Sequence, residues 1–154
     1  MNSPPAPNAA TAPLHDTRPA IVVDTQVVMD WLVFNEPRVQ PLATALQSGA
    51  LRWLVTTAMR DEIRHVLGRG IAARYAPDLA LIEASFDTHA EVVNAATPSP
   101  RLVCRDPDDQ KFIDLALERH ARWLVSRDKA LLTLAKRARP RGLVILKPEL
   151  WALE

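Results

Sequence analysis

The chain has 154 residues, 48% of them hydrophobic, and a formal net charge of +1. That supports one domain with its own core and excludes a chain-wide basic field as the means of holding a polyanion. The single cysteine, Cys104, excludes an internal disulfide framework and a cysteine-rich zinc site, and its place in an apolar run reads as a buried, reduced thiol. No apolar stretch approaches the roughly 20 residues of a bilayer span, and no basic-then-apolar signal opens the chain, so the expected location is the cytoplasm with no membrane contact.

Residues 1–19 carry Pro4, Pro5, Pro7, Pro13 and Pro19 and no periodic apolar face, which reads as a disordered leader; 20–154 then forms a single domain. Ile21-Val22-Val23 is an uninterrupted β-branched run, the pattern of a strand covered on both faces, and it ends at Asp24-Thr25. Val27–Phe34 and Arg38–Ser48 read as helices, with Gly49 where a C-terminal cap belongs. Leu51–Val55 is the next strand, and Thr56-Thr57 caps a helix over Ala58–Leu67 that Gly68 ends. On that helix Met59, Ile63, Val66 and Leu67 share a face; Glu62 sits at its edge and leans over the sheet, while Asp61 points to water. Ile71–Asn94 reads as mainly helical with a break near Pro77, and 95–100 as a loop.

The stretch Leu102–Lys129, LVCRDPDDQKFIDLALERHARWLVSRDK, concentrates the acids. Leu102–Cys104 reads as a strand, and Asp106 before Pro107 as the N-cap of a helix with proline at its first position. On a 3.6-residue period Phe112, Ile113, Ala116 and Leu117 form the apolar stripe; Asp109 falls on it, and Asp108 and Asp114 turn toward water. Trp123–Val125 is a further strand, followed by Ser126-Arg127-Asp128. A helix over Lys129–Ala138 and a last strand over Leu143–Leu146 close the chain. All four tryptophans, Trp31, Trp53, Trp123 and Trp151, lie in apolar contexts and read chiefly as core or dimer contacts.

Short buried strands alternating with helices predict a three-layer α/β/α sandwich around a mainly parallel sheet of about five strands. Ligands of such sheets bind beyond the carboxyl ends of the strands, where Asp24, Asp109 and Asp128 are placed by this reading; Glu62 joins them from a helix. Four carboxylates in one pit repel one another unless a hard cation lies between them, and an oxygen-only donor set suits Mg²⁺ or Mn²⁺ and a phosphate-bearing substrate. One such ion, or two about 4 Å apart, would serve in-line phosphodiester hydrolysis. Thr25 and Ser126, each beside an acid, are accessory hydrogen-bonding groups, and Asp108 adds to the negative field. Arg64, Arg105 and Arg127 flank the acidic pieces and are the candidate contacts to substrate phosphates.

The pieces VVDTQVV (22–28), TTAMRDEIRHVL (56–67), DPDDQKFIDLAL (106–117) and WLVSRDKALL (123–132) resemble, in order and spacing, the PIN-domain family, and within it the toxins of bacterial toxin–antitoxin pairs. The resemblance covers about 20–146. It implies a Mg²⁺- or Mn²⁺-dependent endoribonuclease whose acidic quartet matches Asp24, Glu62, Asp109 and Asp128. It also implies an RNA substrate, a homodimer, and a cognate antitoxin protein that blocks the site. The family's first motif usually reads Asp-Thr-Asn, and Gln26 stands at its third position. The alternative reading is therefore the same fold without catalysis, binding RNA or a protein. A phospho-accepting signalling domain would want a tandem acidic pair after the first strand, and dinucleotide binding a glycine-rich turn; the chain has neither there.

Overall fold

A computed structural model of the chain describes residues 16–97 and 102–153. Five strands form one all-parallel sheet: β1 (Ala20–Val23), β2 (Arg52–Val55), β3 (Ala90–Val92), β4 (Trp123–Val125) and β5 (Val144–Leu146), in the order β3-β2-β1-β4-β5. Around them lie α1 (Thr25–Leu32), α2 (Gln40–Ser48), α3 (Thr57–Gly68), α4 (Leu79–His89), α5 (Gln110–Glu118), α6 (Lys129–Leu132) and α7 (Ala135–Ala138). This is the three-layer α/β/α sandwich that the alternation of elements predicts, with helices over both faces.

Two cores follow from the pleat, since successive strand side chains point to opposite faces. Ile21, Val23, Trp53, Val55, Trp123 and Val125 pack with Val27, Trp31, Leu42, Leu46 and Phe86 on one side. Ala20, Val22, Leu54, Leu124 and Ile145 pack with Phe112, Ile113, Leu131 and Leu134 on the other. Helix α3 straddles the two, giving Ile63 to the first core and Met59 to the second, which sets Glu62 over the sheet's end. All four tryptophans are buried, and Trp53 packs between Trp31 and Phe86 with its ring tilted to both. Gly49 takes φ of 83° as the residue that ends α2, a left-handed conformation that favours glycine.

The chain runs outward from β1 to β2 and β3, then crosses back to β4 and β5. The direction of winding therefore reverses beside β1, and a crevice opens there at the carboxyl ends of β1 and β4.

Three expectations need correction. The strand count stands, but Leu102–Cys104 is irregular, and the remaining strand is Ala90–Val92, inside the span read as helix. Leu102 and Cys104 are each 4% exposed and Val103 62%, so the burial alternates as in a strand. Its backbone groups, however, pair with one side chain: Cys104 N donates to Gln110 Oε1 (2.7 Å), and Gln110 Nε2 donates to the Leu102 carbonyl (3.0 Å) and to Asp114 Oδ1 (2.9 Å). Ala90-Glu91-Val92 is a short, half-covered edge strand that follows α4 without a turn residue, and so leaves no signal in periodicity. The second correction concerns phase. Pro107–Asp109 is a single 3-10 turn capped by Asp106 before α5 begins, and at three residues per turn it rotates Asp109 off the apolar stripe. Asp114 is consequently the buried acid of this helix, 5% exposed, and Asp109 is half-buried. Third, the helix expected over Lys129–Ala138 is two short ones, separated at Thr133-Leu134.

The leader reading falls mostly on 1–15, outside the described residues, as does most of the loop after Thr97. Within the described part, the Pro19 carbonyl accepts from Arg52 N (2.9 Å), and Arg18 pairs with Asp16 (2.7 Å).

Gln110→Ala removes all three bonds that its side chain makes. It is expected to cost about 2–3 kcal/mol, a fall of about 5–10 °C in the thermal midpoint. A variant melting within about 1 °C of the parent would show that the amide does not hold this segment.

Candidate metal centre

Asp24 follows β1 directly and caps α1: its Oδ1 accepts from Val27 N (3.1 Å). The parallel ladder continues through it, since Asp24 N donates to the Val125 carbonyl (3.1 Å). Ser126, the residue after β4 and fully buried, donates its hydroxyl to Asp24 Oδ2 through a short bond, and the same Oγ accepts from Asp128 N (2.9 Å). Asp128 caps α6 through Oδ1, which accepts from Ala130 N (2.8 Å). Adjacent parallel strands thus each end in an acid whose first task is to satisfy a helix N-terminus, with Ser126 joining the two.

Asp109 lies at the junction of the 3-10 turn and α5 and makes no cap bond. Its Oδ2 is buried and has no hydrogen-bond partner among the described residues. Asp106, which caps the 3-10 turn through Asp108 N (3.0 Å), brings its carboxylate to the same place: oxygens of Asp106, Asp109 and Asp128 lie within 4.8 Å of one another, all three residues half-buried. Glu62 stands on the opposite wall, where Oε1 accepts from Thr25 Oγ1 (2.9 Å) and pairs with Lys111 Nζ (3.0 Å).

The four acids expected from the sequence, Asp24, Glu62, Asp109 and Asp128, all line one cleft of about 360 Å³, together with Thr25, Gln26, Phe112 and Arg127. The tight trio is narrower than the quartet and differs from it, because Asp106 replaces Asp24 and Glu62. Asp106 read as a helix cap in the sequence, and it is one; only the spatial approach of Asp128, from 22 positions along the chain, shows its second contribution. Lys111 was also missed, since nothing in its spacing marks it. Of the accessory residues, Thr25 and Ser126 bond to acids of the cleft, whereas Asp108 is exposed and reaches Lys111 only through its carbonyl. Arg127 lines the cleft with Nε on Asp30 Oδ2 (2.9 Å) and Nη1 on Glu149 (2.7 Å), and its buried Nη2 has no partner among the described residues. Gln26 donates to the other oxygen of Asp30 (3.0 Å), so this buried acid fixes both neighbours of the cleft. Arg64 lies away from the lining, held between Glu83 and Asp61, and Arg105 is exposed just before Asp106.

Crowding shows in the carboxyl groups themselves. Burial pushes Asp24 up from 3.8 to about 6, against the opposing hydrogen bonds of Ser126 and Val27, with Asp128 and Asp30 adding repulsion. Asp109 rises to about 7, through burial first, then through its side-chain hydrogen bond with Asp128 and the charges of Asp128, Asp106 and Asp24. Near neutrality a proton or a cation must therefore sit among these oxygens. The orphaned Asp109 oxygen and an all-carboxylate donor set fit a hard divalent ion.

A family model described as PIN domain matches residues 20–130, from β1 through the start of α6, and so spans Asp24, Glu62, Asp106, Asp109 and Asp128. No curated protein matches the chain.

Because Asp24 and Asp109 hold protons more tightly in the folded chain than in the unfolded one, their contribution to stability is fully present below about pH 4 and is lost as pH rises toward 7. The carboxylates whose values are lowered, Asp16, Glu36, Glu83 and Glu149, act at lower pH and leave that window clear. Metal-free protein is expected to melt about 5 °C lower at pH 8 than at pH 5; millimolar Mg²⁺ restores the loss at pH 8, and Asp109→Asn shrinks both effects. A metal-free midpoint that climbs from pH 5 to pH 8 would contradict this reading of the cleft.

Proposed function

The chain belongs to the PIN domain family, and on that premise we propose that it is a Mg²⁺- or Mn²⁺-dependent endoribonuclease acting through the acidic cleft. PIN domains are generally nucleases, and the observation that carries the reading here is the approach of the Asp106, Asp109 and Asp128 oxygens to within 4.8 Å, beside the buried Asp24. Asp109 and Asp128, with Asp106, are the groups that would hold the ion, and Asp24 and Glu62 complete the acidic wall. Bound there, the ion supplies Lewis acidity toward a phosphoryl oxygen and toward water, and neutralises charge gathering on the phosphodiester.

The remaining work falls to the chain's own side chains. Ser126 and the first turn of α1 hold Asp24 in one orientation, and α6 does the same for Asp128. Glu62 carries both of its described donors on Oε1, which leaves Oε2 to hold the attacking water and take its proton as that water adds to phosphorus and the P–O bond to the leaving oxygen breaks. Arg127, which lines the cleft, and Arg105, just before Asp106, would meet the phosphates on either side of the scissile bond; Arg64 would have to exchange Glu83 for phosphate to join them. Gln26, whose amide rests on Asp30, takes the asparagine's place in the family's first motif and still lines the cleft.

The likeness of the four sequence pieces supports the further reading that the chain is the toxin of a toxin–antitoxin pair, cytoplasmic and blocked by a cognate antitoxin. A homodimer is part of that reading; the exposed apolar side chains Ile71, Tyr75, Leu79 and Leu81, between α3 and the first turn of α4, are consistent with burial against another chain. Among the described residues no helix is long and apolar enough to cross a membrane.

Purified protein is expected to cut single-stranded RNA internally with Mg²⁺ or Mn²⁺ and to stop on chelation. Asp109→Asn and Asp128→Asn should each lower kcat by at least about 100-fold with circular dichroism unchanged. Cleavage by Asp109→Asn at the parental rate would remove the cleft from the chemistry. Metal-independent RNA binding without any cleavage would favour the non-catalytic alternative.

A further inference from the structure

Among the described residues, Glu62 is the one acid of the cleft lining that forms an ion pair, and its partner Lys111 is held from several sides. The ammonium lies 3.0 Å from Glu62 Oε1, donates to the Asp108 carbonyl (2.5 Å) and sits 4.7 Å from the centre of the Phe112 ring. Lys111 is the second residue of α5, where the helix dipole disfavours a positive charge, so its placement depends on those partners. Across the cleft the charges are arranged differently. Asp106, Asp109 and Asp128 bring oxygens within 4.8 Å of one another and, among the described residues, form no ion pair with a basic side chain, and Glu62 is outside that trio.

The acids around the cleft thus fall into an unpaired trio, with the buried Asp24 beside it, and the paired Glu62. The trio has no described counter-charge and is tight enough to accept a divalent ion; Glu62 already carries its counter-charge. A second ion at Glu62 would have to displace an ammonium from a carboxylate, a carbonyl and a ring at once. We propose that Lys111 is a positioning residue that serves as the built-in counter-ion of Glu62, so that the cleft takes one divalent cation, at Asp106, Asp109 and Asp128, and keeps Glu62 free of it as a water-holding carboxylate. This rests on the metal-dependent reading above and decides its stoichiometry.

The test is a Mn²⁺ titration of metal-free, full-length protein, followed by calorimetry and by the paramagnetic resonance of the free ion. The parent is expected to bind one Mn²⁺ per chain. Lys111→Met keeps an unbranched stem against Phe112 but frees Glu62, and should bring in a second ion with its affinity raised by about tenfold or more. Lys111→Arg should behave as the parent, and the double variant Lys111→Met/Glu62→Gln should return to one ion, which a merely structural role for the lysine does not predict. A Lys111→Met titration that superposes on the parent's, or a second ion retained in the double variant, would overturn the proposal. Two equivalent ions in the parent would overturn the lysine's role and leave the metal reading standing, whereas no Mn²⁺ bound by the parent would overturn both.

Discussion

The pairing of β1 with β4 governs the site. Because the two strands run parallel and in register, with Val23 opposite Val125, they end on the same side of the sheet, and the residues that follow them emerge into one crevice. Asp24 and Ser126 are those residues, and the hydroxyl of Ser126 joins Asp24 to the backbone of Asp128. A slip of one position in either strand would send that strand's core side chains to the other face and separate the two acids. Both cores resist such a slip, since each strand side chain already belongs to one of them.

The carboxylates hold the fold and the candidate chemistry together. Asp24, Asp106 and Asp128 each commit one oxygen to a backbone N–H at a helix or turn start, which fixes the side chain and aims what is left. The cleft is therefore preorganised by ordinary capping. The cost is burial of charge, with repulsion added to it, recorded in the upward shifts of Asp24 and Asp109 and in a buried Asp109 oxygen that has no partner among the described residues. A divalent ion relieves that cost, so the folded chain and the ion should favour each other.

How much of this the sequence carries depends on the range of the interaction. The strands at Ile21–Val23, Leu51–Val55 and Trp123–Val125 are legible because strands covered on both faces are apolar throughout. The caps at Asp24, Thr56 and Asp106 are legible because capping acts within three residues. Ala90–Val92 is invisible because an edge strand needs only half a face, and Leu102–Cys104 misleads because its burial alternates while Gln110 replaces the neighbouring strand. Asp109 was assigned to the cleft by the right residue type but the wrong phase, since a single 3-10 turn shifts the wheel. The second role of Asp106, the Lys111–Glu62 pair and the anchoring of Gln26 and Arg127 by Asp30 join side chains whose meeting no local pattern announces.

The claim on which the rest depends is that the oxygens of Asp106, Asp109 and Asp128 converge to hold a divalent cation. Anomalous diffraction from crystals grown with Mn²⁺ tests it directly. The account predicts a manganese peak within coordination distance of Asp109 and Asp128, with Asp106 in its shell and Glu62 still paired to Lys111. A fully loaded crystal whose manganese lies on another surface, with the cleft acids turned apart, would contradict it.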